Sequence, residues 1–136
     1  MNFEPYLFFD GNCEEALGFY AGVFGGKIEG LTRYEGTPAA VEMPPEALKN
    51  VMHATFRSPS ASFMASDSNQ ASDCESSRVA LSLASSDPAE GQRMFDTLAA
   101  GGTVSMPYGK MFWGAMFGSL TDRFGIDWMI NCDLAP

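Results

Sequence analysis

Between Val79 and Gly102 the chain reads VALSLASSDPAEGQRMFDTLAAGG, and this stretch decides the architecture. Val79, Leu81 and Leu83 alternate with Ala80, Ser82 and Ala84, the two-residue period of a strand with one apolar face. Asp87 stands where a carboxylate can accept the free amides of a first helical turn, followed by Pro88 at the first helical position and Glu90 in the same turn. Gly91, Met94, Phe95 and Leu98 then recur at three- and four-residue spacing, as the buried stripe of a helix does. Gly101-Gly102 ends that helix, because glycine enters the left-handed conformation without steric cost.

The same unit stands earlier in the chain. Tyr6-Leu7-Phe8-Phe9 predicts a short strand closed by Asp10-Gly11. Asn12, with Glu15 three residues on, predicts a capping box, and Glu14 complements the helix dipole. Ala16, Tyr20, Val23 and Phe24 form the apolar stripe, and Gly25-Gly26 stops the helix. The two stops lie 76 residues apart, and the same offset carries Leu7 onto Leu83, Glu14 onto Glu90 and Phe19 onto Phe95. That self-similarity is the mark of a duplicated unit.

Three strands follow each helix. In the first half these are Lys27 to Glu35, Val51 to Arg57 and Ala61 to Ala65, the last two a hairpin around Ser58-Pro59-Ser60. The stretch from Gly36 to Pro45 holds three prolines, which remove backbone donors, and reads as a loop. In the second half the strands are Thr103 to Tyr108, Phe112 to Leu120 and Ile126 to Cys132. Ser66 to Ser77 is Ser-, Asp-, Asn- and Gln-rich and reads as a mobile connector. The expectation is an α+β chain of two strand-helix-three-strand modules, about 1–68 and 77–134, joined at about 69–76.

Composition bounds the function. With 136 residues and 46% hydrophobic content the chain can fill one ordinary core. Its formal charge of −9 repels a phosphate backbone, which excludes nucleic acid as a partner. No run of about 18 apolar residues predicts a membrane span and no secretory leader is evident, so the expected location is the cytoplasm. Cys13, Cys74 and Cys132 are odd in number and widely spaced, and read as reduced thiols.

The opening Tyr6-Leu7-Phe8-Phe9-Asp10-Gly11-Asn12-Cys13, then Phe19-Tyr20 with Phe24-Gly25-Gly26, begin a familiar pattern. Phe112-Trp113-Gly114, Phe117-Gly118, Asp122-Arg123-Phe124-Gly125 and Trp128-Met129-Ile130-Asn131 complete it. Together they resemble the PhnB-like branch of the vicinal oxygen chelate superfamily, which includes glyoxalase I, extradiol dioxygenases and bleomycin-resistance proteins. The resemblance implies two βαβββ modules whose curved mixed sheets make a cup, usually in a dimer with modules paired within or across chains. It also implies a divalent metal held by His and Glu on the cup floor. The positions that should carry those ligands fall at Pro5, near Met64, at Arg78 (or Leu81 by the repeat offset) and at Met129. Proline and leucine have no donor atom, arginine is cationic, and thioether sulfur prefers soft ions. With one histidine in the chain, a two-His site within it is impossible. The branch also carries a label linking it to a demethylubiquinone methyltransferase. A conventional S-adenosylmethionine enzyme needs a glycine-rich strand-turn-helix on a parallel sheet, whereas the glycine pairs here end helices.

His53 alternates with Thr55 and Arg57 on one strand face, and as a neutral imidazole it is the candidate catalytic residue, either as a base or as a hydrogen-bonding group. The bland reading is a structurally satisfied histidine, and nothing in the spacing supports a metal site with Glu42. Arg78 on an apolar floor would need an anionic partner; the bland reading is a strand-edge side chain reaching water. Tyr108, Phe112, Trp113, Phe117 and nine methionines suit a pocket for flat apolar ligands. Strand alternation from Met129 puts Trp128 and Ile130 on the helix side, while Leu7 and Phe9 share the cup side with Pro5. The ligand-binding candidates are Leu7, Phe9, Met64 and Arg78, then Tyr108, Trp113, Phe117 and Met129. Cys13 lies where a helix dipole lowers a thiol pKa but has no activating partner, and reads as a small helix-start residue. Gly109-Lys110 is no phosphate loop, since Val104 replaces its first glycine and Met111 its hydroxyl residue.

These readings converge on a metal-independent small-molecule-binding protein without a cofactor, acting as a homodimer. An acidic surface favours cationic ligands, and Arg78 an anionic or carbonyl-bearing one. The alternative is a metalloenzyme of the superfamily, a lyase, isomerase or dioxygenase, with an atypical metal site or with His53 as base. Reuse of the dimer surface for binding another protein has no positive sign in the sequence.

Overall fold

Alternate side chains of Tyr6–Phe9 (β1) are buried, Leu7 and Phe9 inward and Tyr6 and Phe8 outward, as a strand with one covered face requires. The computed structural model describes residues 3–68 and 79–134, and the chain divides into two units, Met1–Glu75 and Ser76–Pro136.

In the first unit β1 leads into α1 (Cys13–Phe24), whose Ala16, Leu17, Tyr20 and Phe24 are buried. The expected capping box does not form. Asn12 makes no side-chain cap bond, and the amide of Cys13 donates instead to Asp67 Oδ1 at 2.9 Å. Gly25 closes the helix at φ +74°, donating to the Ala21 carbonyl at 2.8 Å. β2 (Lys27–Arg33), β3 (Val51–Arg57) and β4 (Ser62–Asp67) complete a sheet of order β1-β4-β3-β2. Only the β1–β4 pair in it is parallel. The proline-bearing connection from β2 to β3 holds two short 3-10 turns, Pro38–Glu42 and Pro45–Ala47. β4 runs further than its apolar pattern suggests: Ser66 and Asp67, expected in the connector, pair with Phe8 and Phe9. The rest of the expected connector, with Cys74 and Arg78, lies outside the described residues.

The second unit repeats the plan with β5 (Leu81–Ser85), α2 (Pro88–Ala99), β6 (Thr103–Lys110), β7 (Ala115–Thr121) and β8 (Asp127–Asp133), in the order β5-β8-β7-β6. Here the cap is the one the sequence predicts, since Ala89 N donates to Asp87 Oδ1 at 3.0 Å. Phe112 and Trp113 belong to the turn between β6 and β7 rather than to a strand, because Gly114 bonds back to the Met111 carbonyl. The duplication extends to register: Tyr6 pairs with Met64, and its repeat partner Ser82 pairs with Met129.

In the first core Phe56 stacks on Phe63 at 5.0 Å and Tyr20 meets Phe63 edge-on at 5.9 Å. In the second, Trp128, Leu120, Ile130 and Leu98 are fully buried. Unlike α1, α2 is not closed by its glycine: its C-cap is Ala100 in an extended conformation, with Gly101 left-handed at φ +77° only one residue later, and the second glycine of each Gly-Gly pair is pressed against the chain. A Cβ on Gly26 would lie 2.5 Å from the Arg57 carbonyl oxygen, and one on Gly102 would run into that of Thr121. Gly26→Ala and Gly102→Ala should each cost about 1–3 kcal/mol in urea unfolding, since backbone cannot step aside. Gly22→Ala, inside α1 with open space around it, should instead add about 0.5–1 kcal/mol. Equal effects at Gly26 and Gly22 would contradict the packing.

Candidate functional site

Directly paired residues of neighbouring strands share a face, so register identifies what the uncovered side of each sheet carries. On the first sheet Tyr6, Met64, Thr55 and Glu29 form one row across all four strands. Phe8 pairs with Ser66, and His53 with Thr32, on the same side. The face is graded. At the β1 edge the rings of Tyr6 and Phe8 lie 5.0 Å apart and are 37% and 45% exposed. At the centre His53 leans on Tyr6, ring centroids 5.8 Å apart, with Nδ1 3.3 Å from the phenol oxygen. At the β2 edge Glu29 sits between Lys27 at 3.3 Å and Arg57 at 2.9 Å. The hydrogen bond from Lys27, more than that from Arg57, holds this carboxyl below its ordinary range.

On the second sheet Met129 lies between Ser82 and Ser119, and Asn131 beside Phe117. Trp113, 52% exposed at the hairpin turn, meets Phe117 edge-on at 6.0 Å.

His53, Met64, Phe117 and Met129 thus stand on open faces, each within its own unit. Leu7 and Phe9 do not. Both are buried on the helix side, Phe9 against Tyr20 at 6.4 Å, which corrects the expectation that they share the open side. Tyr108 is also a structural residue: its ring packs on Phe95 at 5.7 Å and its hydroxyl donates to the Pro88 carbonyl at 3.2 Å, both on α2. Trp128 faces the helix as alternation requires, with its indole N–H on Asp122 at 2.8 Å. Sequence reasoning missed Tyr6 and Phe8. The signal was present in the repeat, because matching Leu7 to the core-facing Leu83 turns Tyr6 and Phe8 outward.

The expected metal positions can be tested one by one. Pro5 presents only its carbonyl, which accepts the Met64 amide at 3.0 Å. Met64 and Met129 offer thioethers, and Leu81 nothing. Such a donor set does not fit a divalent ion of the hard or borderline kind. Among the described residues no three His, Cys, Asp or Glu side chains converge.

A separate cleft of about 290 Å³ lies where β1 and β4 end, lined by Asp10, Tyr34, Met43, Asn50 and Asp67. Its one buried carboxylate is committed to structure: Asp67 takes the amides of Cys13 and Val51. Burial pushes the nearby Cys13 thiol from 9.0 up to about 12, with Asp67 and then Glu14 adding to the shift, so burial overrides the helix dipole. A folded pKa above the unfolded one means this stabilisation is complete below pH 9 and is lost as pH rises from 9 toward 12. At about pH 8 a thiol reagent should label neither Cys13 nor the buried Cys132 in the folded protein, and both after denaturation, as peptide mapping would reveal.

Two βαβββ units of this strand order define the glyoxalase/bleomycin resistance/dioxygenase fold. The family model described as 3-demethylubiquinone-9 3-methyltransferase matches residues 1–131. The chain belongs to that family, the PhnB-like members of the superfamily. It is 39% identical to PA1353 of Pseudomonas aeruginosa, covering 99% of both chains with a TM-score of 0.84. It is 33% identical to protein YjdN of Escherichia coli K12, over 96% of this chain and 95% of that one. A Bacillus cereus structure described as a putative 3-demethylubiquinone-9 3-methyltransferase, PhnB protein, is similar at 29% identity, over 99% of this chain and 100% of that one, with a TM-score of 0.80.

Proposed function

We propose that the chain binds a small, flat, largely apolar molecule on the open face of its first sheet, without a resident divalent metal. The carrying observation is the contiguous, exposed pair of rings, Tyr6 and Phe8, beside His53 and Met64. Exposed aromatic surface of this kind marks a binding surface more often than an accident of folding. Met129 and Phe117, with Trp113 at its hairpin, give the second sheet an apolar surface of the same type. The charge of −9 favours a cationic ligand. In this reading the protein is a cytoplasmic homodimer.

Methyl transfer, named in the family's description, is not carried over. Each sheet contains one parallel pair among its four strands, and the described glycine pairs follow helices rather than open a nucleotide-binding turn. A second reading, in which His53 acts as a base, is favoured by the part-buried place of its ring on the open face.

Protein purified without chelator should carry far less than one metal ion per chain. Near-stoichiometric zinc, iron, manganese or nickel would overturn the proposal. In a thermal-shift panel, planar cationic compounds should stabilise the protein, by about 2.7 kcal/mol at a hundred times Kd. Stabilisation by neither these nor small phosphonates and oxo acids would remove the binding reading.

A further inference from the structure

The phenol of Tyr6 comes from β1 and the imidazole of His53 from β3, two strands away across β4, so their contact is made by the sheet and not by chain proximity. An imidazole nitrogen is a stronger acceptor than a phenol oxygen, and a phenol O–H a stronger donor than a neutral imidazole N–H. The pair therefore favours Tyr6 donating to Nδ1, and the proton of a neutral histidine is driven to the other nitrogen. Among the described residues no protein group is recorded on Nε2, and the ring is only part-buried on the open face.

We propose that Tyr6 is a positioning residue that holds His53 as its Nε2–H tautomer, so that the open face presents its ligand with a hydrogen-bond donor. This rests on the small-molecule reading above and narrows it. The preferred ligand is a planar molecule whose edge carries an acceptor, such as a ring carbonyl, set against the Tyr6 and Phe8 rings. The same tautomer argues against His53 as a base toward that ligand, because its outward nitrogen already bears the proton. Thr55, two residues along β3 on the same side, and Thr32, paired with His53, add hydroxyls to the polar half of the face.

His53 is the chain's single histidine, so one set of imidazole signals reports on it without assignment. Two-bond proton–nitrogen correlation spectra of the full ¹⁵N-labelled chain at about pH 8, where an ordinary histidine is neutral, read the tautomer directly. The expected pattern is a protonated Nε2 and a bare Nδ1. In Tyr6→Phe the two nitrogen shifts should draw together as the tautomers mix, with the fold unchanged by circular dichroism. A protonated Nδ1 in the unaltered protein, or identical spectra for Tyr6→Phe, overturns the assignment.

Titration with chromone, a planar bicycle with a carbonyl acceptor, against indole, of similar size with only a donor, tests the consequence. Chromone should bind about tenfold more tightly, the value of one ordinary hydrogen bond, and His53→Ala should abolish that margin. Equal binding of the two, or preference for indole, overturns the donor role. Binding of neither overturns the donor role toward a neutral acceptor, while the planar cations of the thermal-shift panel decide the small-molecule reading and the spectra the tautomer.

Discussion

Replacing Asp67 with alanine should destabilise the protein by about 3–5 kcal/mol, the larger of two effects expected from buried carboxylates. Asp67 is 5% exposed and closes β4, where its two oxygens take different parts of the unit. Oδ1 accepts the Cys13 amide at 2.9 Å and Oδ2 the Val51 amide at 2.8 Å. One carboxylate thus anchors the start of α1 and the start of β3. Alanine leaves two inward amides without acceptors, each costing about 1–3 kcal/mol, and opens the space the carboxylate filled. Asp67→Asn keeps an acceptor for one amide and turns an NH₂ toward the other, so roughly half the loss is expected. Urea unfolding gives both values. A loss below about 1 kcal/mol for alanine would mean that water replaces the carboxylate at no cost, contrary to the burial of the site.

Asp122→Ala should cost about 3–4 kcal/mol in the second unit, through a different device. Asp122 opens the turn of the β7–β8 hairpin and is 3% exposed. Its Oδ1 accepts the amides of Phe124 and Ile126 at 2.9 and 3.0 Å, shaping the turn, while Oδ2 accepts the Trp128 indole N–H at 2.8 Å. Removing the carboxylate strands a buried indole donor as well as two turn amides. A double-mutant cycle isolates the indole part: Asp122→Ala combined with Trp128→Phe should cost less than the sum of the single changes, because phenylalanine leaves no N–H to satisfy. Strict additivity would show that the Asp122–Trp128 bond contributes nothing.

The two aspartates also mark how far each half could be read in advance. The cap of α2 is local: Asp87, Pro88 and Glu90 are neighbours, and the bond from Ala89 forms within three residues of chain. The cap of α1 looked local too, with Asn12 and Glu15 in the right places. Its bond comes instead from Asp67, 54 residues away, a distance that no local pattern encodes. The same contrast governs the candidate site. His53 was legible as a strand residue sharing a face with Thr55 and Arg57, and Met64 only through the family resemblance. Alternation from Pro5 puts Leu7 and Phe9 on the open side, but a strand's period groups residues by face without saying which face is covered. Burial against α1 decides that direction, and Tyr6 and Phe8 take the open side in consequence. Tyr108 looked like a pocket residue, yet Gly91 leaves room on α2 for its phenol, and the ring folds onto the helix.

By itself the sequence determined the repeat: the apolar periods, the Asp87 cap and the paired glycines act over a few residues, where backbone sterics and local hydrogen bonds decide the outcome. It also set the poverty of donor atoms at Pro5, Met64, Leu81 and Met129, the positions expected to carry ligands. Only the tertiary structure decided which rings reach the open face, which carboxylate holds α1 and which hydroxyl meets His53. Those partners lie on separate strands, and their meeting depends on register and on which face the helix covers, quantities that exist only once the sheet has formed.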